Sequence, residues 1–287
     1  MDERHGTNPD ARHTESGTNR PLLVALDIDG TVCVENTADP FAHETITAPV
    51  REAVARAMRA GAHIVLCTGR LAPATLPFLR ELRIHIGFAV CSNGAALLDA
   101  GTGDVVERSS FALAQPISSL VAQLPGAIFV AEAPGAGVLA TGRVDDADML
   151  FGDVQLIDTL ELAATSTTRL AVHWPGHSDR ELAAVLMADD LPGVRSCCYP
   201  GESVADLTAA GVTKGSMLER LRVRLGIPSH RTLAIGDGTN DIDMLTWAAH
   251  SVAMGDAPSQ VRAAATETCP PATEDGLATA LSRWFPP

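Results

Sequence analysis

Four short stretches of the chain carry residues that chemistry could use. In order they are LDIDGT with Asp27 and Asp29, CTGR with Thr68, GVTKG with Lys214, and GDGTND with Asp237, Asn240 and Asp241. Carboxylates can serve as nucleophile, as general acid and base, or as ligands of a hard cation; a hydroxyl can donate to an anion and an ammonium can neutralise one. Lys214 stands apart by composition, being the single lysine beside 20 arginines. It follows Thr213, a good N-cap, and opens KGSMLERLRVRLG, where Met217, Leu218, Leu221 and Leu225 recur at helical spacing. A cation in the first turn opposes the helix dipole, so solvation alone explains it poorly. A bound anion explains it better, because helix N-termini favour phosphate or carboxylate and a compact ammonium suits a site shared by both.

Such residues need elements to bring them together. PLLVALD reads as a short strand buried on both faces of a parallel sheet. TAPVREAVARAMRAG follows as a helix, with Thr47 as cap, Pro49 in the first turn and Gly61 past the end. AHIVLCTG is a second strand, APATLPFLREL a helix and IGFAVCSNG a third strand. This rhythm predicts an α/β fold with a doubly wound, mainly parallel, Rossmann-like sheet. Near residue 95 the pattern changes. AALLDAGTGDVVERS reads as a hairpin, and the stretch after it mixes helices at 113–124 and 178–187 with strands near 127–132, 137–141, 168–174 and 194–198. The α/β rhythm returns at Lys214, with a helix over 214–225, strand TLAIGD, helix NDIDMLTWAA, strand SVAMG, helix PSQVRAAAT and a last helix near 275–284. The expected organisation is a core built from residues 21–108 and 199–287, an α+β cap inserted at 109–198, and a disordered leader over 1–20.

In open α/β sheets, ligands bind beyond the carboxyl ends of the strands. Three of the expected strands end in Asp27 and Asp29, in Thr68, and in Asp237 to Asp241. If the three are neighbours, four carboxylates meet near one hydroxyl and one lysine. Such a cluster needs a cation, and an all-oxygen set selects a hard one such as Mg2+. A calcium loop is excluded, because counting from Asp27 position 6 is Val32 and position 12 is Ala38. A dinucleotide loop is excluded at GDGTND, where Asp241 stands in place of the third glycine. An Asp-Gly turn remains the plain alternative for LDIDGT alone, and TGR alone carries little information.

The conjunction resembles the haloacid dehalogenase superfamily in its phosphatase branch. LDIDGT looks like its first motif, Thr68 of LCTGR like its second, Lys214 like its third and GDGTND like its fourth. With a cap between the second and third motifs, and with CSNGA, GVTKG and VAMGDAP, the chain is similar to the Cof-type subgroup over residues 22–283. GDGTND departs from the acidic residue and Asn that many such relatives carry inside this loop, and it spares both aspartates. The resemblance implies a Mg2+-dependent phosphomonoester hydrolase acting through an aspartyl-phosphate. Asp27 would then be the nucleophile, Asp29 the general acid and base, Thr68 a phosphoryl donor and Lys214 the neutralising cation. The metal ligands would be Asp27, Asp29 through its backbone carbonyl, Asp237 and Asp241, with Gly69, Asn93 and Asn240 as substrate contacts. A phosphotransferase or phosphosugar mutase with the same nucleophile is the competing reading; a non-catalytic phosphosugar-binding protein would not need both Asp27 and Asp29.

Composition narrows the remaining choices. At 287 residues, 46% hydrophobic, the chain can bury a large core, and a formal charge of −14 argues against nucleic acid and anionic membrane as partners. The sequence has no run of roughly 18 apolar residues and a polar N-terminus, so a cytoplasmic enzyme of a small phosphomonoester is expected, as a monomer or homodimer. The six cysteines lack metal spacing and read as buried small hydrophobes. In TTRLAVHWPG, Leu170, Val172 and Trp174 should face the cap core, while Arg169, Ala171 and His173 share the other face; an ordinary solvated sheet face is expected there, the competing reading being that Arg169 and His173 read a polar or anionic end of the substrate. Asp243 reads as a helix-start residue, and Arg70 as a solvated or paired surface group, with a place facing the substrate as the alternative.

Overall fold

The computed structural model of the protein describes residues 20–34, 46–134, 137–143, 154–188 and 191–287. Residues 1–19, where the leader is expected, lie outside them. A five-stranded parallel sheet forms the centre, in the order Glu267–Thr268, His250–Ala253, Thr232–Gly236, Leu23–Leu26, His63–Leu66. Leu23–Leu26 is the strand buried on both faces that the sequence predicts. Val24 and Leu26 pack into one cluster with helices Ala48–Arg59, Ala72–Glu81 and Gly276–Ser282. Leu23 and Ala25 pack into the other with helices Lys214–Arg224, Ile242–Trp247 and Ser259–Ala264. Alternation along four residues thus serves two hydrophobic layers, which is the physical content of a doubly wound sheet.

The third expected strand, Phe88–Cys91, meets the parallel sheet through a single bridge between Cys67 and Val90. It then pairs antiparallel with Ala96–Asp99, which in turn pairs with Val105–Arg108. The hairpin around Gly101 to Asp104 is therefore present as expected.

The inserted cap is a six-stranded sheet in the order Val194–Cys198, Val204–Ala209, Leu170–His173, Ile128–Ala133, Gly137–Ala140, Val154–Leu156. All its neighbours are antiparallel except the last pair. Helices Ala114–Gln123, Thr159–Ala163 and Asp179–Ala188 cover one face, where Leu170, Val172 and Trp174 join Ile117, Leu120 and Leu182 in the cap core, as anticipated. The strand Val204–Ala209 is unanticipated, and it carries the cap sheet beyond residue 198. Its sequence, VADLTA, hides the alternation. Ala205 and Leu207 enter the cap core, while Asp206 and Thr208 are buried polar residues on the opposite face.

That opposite face corrects one expectation. Ala171 and Val130 pack with Val138, Ala140 and Leu71, the residue after Arg70 in the core, and Arg169 is buried too. The face turns toward the core: part of it packs against Leu71, and Arg169 and Asp206 line a cavity between the two parts. Among the described residues, all six cysteines are free and no helix is long and apolar enough to cross a membrane.

Candidate active site

The strands Thr232–Gly236, Leu23–Leu26 and His63–Leu66 are successive neighbours, so the residues that follow them converge at one edge. The pairing continues into those residues: Asp27 N donates to Ile235 O at 3.0 Å, Cys67 N to Leu26 O at 2.8 Å and Thr68 N to Val90 O at 2.9 Å. Lys214 arrives from the side, in the first turn of its helix. Thr213 caps that helix reciprocally, Ser216 N donating to Thr213 Oγ1 at 3.0 Å and Thr213 N to Ser216 Oγ at 2.9 Å. The turn Ser92–Asn93–Gly94 sits against the same helix start. A Cβ on Gly94, whose φ is +100°, would overlap the carbonyl of Thr213, so only glycine lets the two approach.

Lys214 Nζ donates to Asp27 Oδ1 and to Asp241 Oδ1, each at 2.6 Å, with all three side chains buried. Asp241 Oδ2 accepts from the backbone N–H groups of Asp237 at 3.0 Å and Gly238 at 2.9 Å, and this holds the GDGTND loop closed. Asp237 Oδ1 accepts from Thr31 Oγ1 at 2.8 Å. Among the described residues, Asp27, Asp237 and Asp241 bring carboxylate oxygens within 4.8 Å of one another. Three carboxylates face one ammonium, and the imbalance registers in their acidity. Burial, then the Asp241 charge, pushes Asp27 well above the usual carboxylate range despite Lys214, and the same two causes push Asp237 up to about 7. Asp241 and Asp27 hold Lys214 above its ordinary value against the desolvation that would lower it.

A hard divalent cation fits this arrangement. The donor set is all oxygen and carries surplus negative charge in a buried place, and the free oxygens belong chiefly to Asp27 and Asp237, since both oxygens of Asp241 are engaged. The backbone also leaves room: a Cβ on Gly30 would overlap Asp237 Oδ2, and one on Gly236 would overlap Asp241 Oδ2.

Asp29 stands apart from that cluster. Its carboxylate is held by Arg70, whose Nε donates at 3.1 and 3.0 Å and whose Nη2 also reaches Asp29 Oδ1. Arg70 lies over the Phe78 ring, 4.9 Å from its centroid, with its side chain mostly buried, so of the two places the sequence offered it, surface or substrate side, it takes the second. Thr68 is fully buried; its carbonyl accepts from Asn93 N at 3.1 Å and its hydroxyl from Arg70 N at 3.1 Å, which sets the turn carrying Gly69.

Asn93 and its neighbour Ser92 both adopt left-handed backbone conformations, φ 54° and 51°. Such strain persists where surrounding contacts overdetermine it, and here they do. Asn93 Oδ1 accepts from Asn240 Nδ2 at 3.0 Å, and its Nδ2 donates to Tyr199 OH at 3.0 Å and to Asp206 Oδ2 at 2.8 Å. Core and cap are thereby hydrogen-bonded through one side chain. Gly69 lies against the same amide, where a Cβ would come within 3.2 Å of Asn93 Oδ1. Asp243, read as a helix-start residue, also bridges to the cap, pairing with Arg195 at 2.5 Å.

A cavity of about 610 Å3 opens between the two parts, lined by Asp27, Asp29, Arg70, Asp237 and Asn240 from the core and by Arg169, Tyr199 and Asp206 from the cap. Of these cap residues, Arg169 was a sequence candidate for reading the substrate, whereas Tyr199 and Asp206 were missed by sequence reasoning. Tyr199 had one faint signal, as the only tyrosine in the chain.

The fold and this site define an α/β hydrolytic enzyme with an acidic, lysine-bearing strand-end centre. The haloacid dehalogenase-like hydrolase family matches residues 24–281, so the chain belongs to that family, in its phosphatase branch. Among curated proteins, it is 23% identical to a 5-amino-6-(5-phospho-D-ribitylamino)uracil phosphatase of Bacillus subtilis, covering 93% of this chain and 98% of the relative. It is 26% identical to a pyridoxal phosphate phosphatase of Escherichia coli, over 89% of this chain and 96% of the relative. Among solved structures, the subclass IIB sugar phosphatase BT4131 superposes with a TM-score of 0.76 at 25% identity, over 91% of this chain and 98% of that one.

Proposed function

We propose that the protein is a Mg2+-dependent phosphomonoesterase that works through an aspartyl-phosphate on Asp27. The observation that carries this reading is the buried contact of Asp27 with Lys214, beside Asp237 and Asp241 and open to a cavity large enough for a small metabolite. A carboxylate oxygen of Asp27 attacks phosphorus, and the bond from phosphorus to the ester oxygen breaks. Asp29, on the same cavity wall, gives a proton to the departing alkoxide; it carries that proton once its pair with Arg70 has opened, since a carboxyl held by a guanidinium is ionised. In the second half, Asp29 takes a proton from water, whose oxygen attacks phosphorus and frees both inorganic phosphate and Asp27. Arg70 orients the ionised Asp29 for this second transfer.

Lys214 balances charge on Asp27 and on the phosphoryl oxygens, and the Thr68 hydroxyl, with the backbone around Gly69, donates to the same group. Asp27 and Asp237, with the carbonyl of Asp29 and with Asp241 behind them, would hold Mg2+, which supplies further charge neutralisation to the phosphoryl group when bound. The substrate is a small phosphorylated metabolite. The named relatives are phosphatases of 5-amino-6-(5-phospho-D-ribitylamino)uracil, of pyridoxal phosphate and of sugar phosphates, which supports that size class.

The test is phosphate release from a panel of such esters, with and without Mg2+, for wild type and Asp27→Asn. Mg2+-dependent turnover that disappears in the variant supports the nucleophile; release that survives Asp27→Asn overturns it. Silence of the wild type across the panel shifts weight to a phosphosugar mutase, which would transfer the phosphoryl group to a second substrate before water attacks.

A further inference from the structure

The cap side of the cavity contains a buried arginine with unused donors. Arg169 immediately precedes the strand Leu170–His173, and its Nη1 donates to Asp206 Oδ1 at 3.2 Å and Oδ2 at 3.0 Å. Asp206 is fully committed: Oδ2 also accepts from Tyr199 OH at 2.7 Å and from Asn93 Nδ2 at 2.8 Å. These contacts fix the guanidinium at its Nη1 corner. Its Nε and Nη2 make no hydrogen bond to any described residue, yet the only buried side-chain nitrogen or oxygen without a partner among those residues is His173 Nδ1. The two nitrogens are therefore not sealed in the protein interior, and Arg169 lines the cavity that it shares with Asp27. Unused donors on a side chain only 10% exposed are costly unless a ligand or ordered solvent takes them.

The charge around the guanidinium decides what kind of ligand fits. Asp206 already neutralises Arg169, and the remaining cavity wall adds Glu202 and Asp256. A second anion on the substrate would meet a neutral pair in an acidic surrounding. An uncharged oxygen acceptor would meet two parallel N–H groups held in a plane, at no Coulombic cost.

We propose that Arg169 reads the organic part of the substrate, its Nε and Nη2 edge donating to uncharged carbonyl or hydroxyl oxygens of the leaving group. This inference rests on the phosphomonoesterase reading and narrows its substrate class to esters with neutral polar leaving groups. Asp206 and Tyr199 are positioning residues in this scheme, tying Arg169 to the Asn93 turn of the core.

The experiment compares wild type with Arg169→Lys, which keeps a cation against Asp206 and loses the planar edge. The probes are phenyl phosphate, which has no acceptor beyond the ester; glucose 6-phosphate and pyridoxal 5′-phosphate, with neutral acceptors; and 2-phosphoglycolate, with a carboxylate. The wild type is expected to prefer one of the neutral-acceptor esters over both others. Arg169→Lys should lower kcat/KM on that ester, mainly through KM, by about tenfold more than on phenyl phosphate, the loss of one charge-assisted hydrogen bond. An equal fall on both probes means a structural role and overturns the proposal, as does no fall at all. A wild-type preference for 2-phosphoglycolate also overturns it. Should the lysine variant melt early, Arg169→Met combined with Asp206→Asn removes both charges together and must give the same selective loss. Absence of release by the wild type from every probe overturns the hydrolase reading, and this one with it; turnover with unchanged selectivity overturns only the role of Arg169.

Discussion

Asp27 Oδ1 and Lys214 Nζ lie 2.6 Å apart, although 187 residues separate them in sequence and neither side chain is more than 7% exposed. The lysine meets Asp241 at the same distance, so its three donors have little room to be replaced by a flat, larger guanidinium. Lys214→Arg should therefore keep the charge and still lose on the order of 100-fold in kcat/KM, the scale for removing a well-aimed charge-stabilising donor. Phosphate release at saturating Mg2+ checks this, and turnover within threefold of wild type would show that any cation suffices.

The surplus of buried negative charge gives a second expectation. Without metal, Asp27, Asp237 and Asp241 share one lysine, and burial together with the charge of Asp241 makes Asp27 and Asp237 weaker acids than ordinary carboxyls. Asp237→Asn removes one anion while keeping the acceptor for Thr31. The variant should melt a few degrees above the metal-free wild type, at about 2–4 °C per kcal/mol for a chain of this size, and should lose most of the stabilisation that Mg2+ gives the wild type. Thermal melts with chelator and with a Mg2+ series measure both; an apo melting point below wild type would contradict the repulsion argument.

Gly30 carries a third. Its φ is +70°, and a side chain there would overlap the carboxylate of Asp237. Gly30→Ala should displace Asp237, weaken Mg2+ binding by about tenfold or more and lower turnover in proportion, while the α/β core melts cooperatively. Titration of activity against Mg2+ separates the two effects, since a shifted metal requirement points to Asp237 and an unshifted one to the backbone alone.

Legibility in the sequence divides along physical lines. Strands buried on both faces, such as Leu23–Leu26, announce themselves as continuous apolar runs, and polar residues just past their ends point at the site; Asp27, Thr68 and Asp237 were readable for that reason. Lys214 was readable because a lone lysine in a first helical turn conflicts with the dipole unless something anionic meets it. The cap side was not readable in the same way. Asp206 reaches Arg169 only because the strands Leu170–His173 and Val204–Ala209 pair with Ala171 opposite Asp206, and no local pattern encodes that register. Arg70 was left between surface and substrate because its partner, Asp29, lies 41 residues earlier and no local pattern announces the pair.

Glu219 provides a test of how the lysine helix is braced. Arg222 Nε and Nη2 donate to it at 2.8 and 2.7 Å, and Trp247 Nε1 at 2.9 Å, and these hydrogen bonds hold the carboxyl down at about 2 against an ordinary 4.5. A lowered folded-state value means that its contribution to stability is present above about pH 4.5 and lost as the pH falls toward 2. The side chain is 45% exposed, so solvent screens the effect, and Glu219→Gln should lower the melting temperature at pH 7 by only about 1–2 °C. That difference should shrink as the pH is lowered through 4.5 and approach zero near 2, over whatever part of the range both proteins melt cooperatively. A constant difference would assign the effect to packing. The effect reaches the site, because Trp247 closes the helix Ile242–Trp247 that begins directly after Asp241, and Glu219 lies on the same helix as Lys214, about one and a half turns further on. Loss of the brace should loosen the Lys214–Asp241 contact, so the same variant should show a modest fall in kcat at pH 7, which high salt reproduces in the wild type only to the extent that the Arg222 pair is screened.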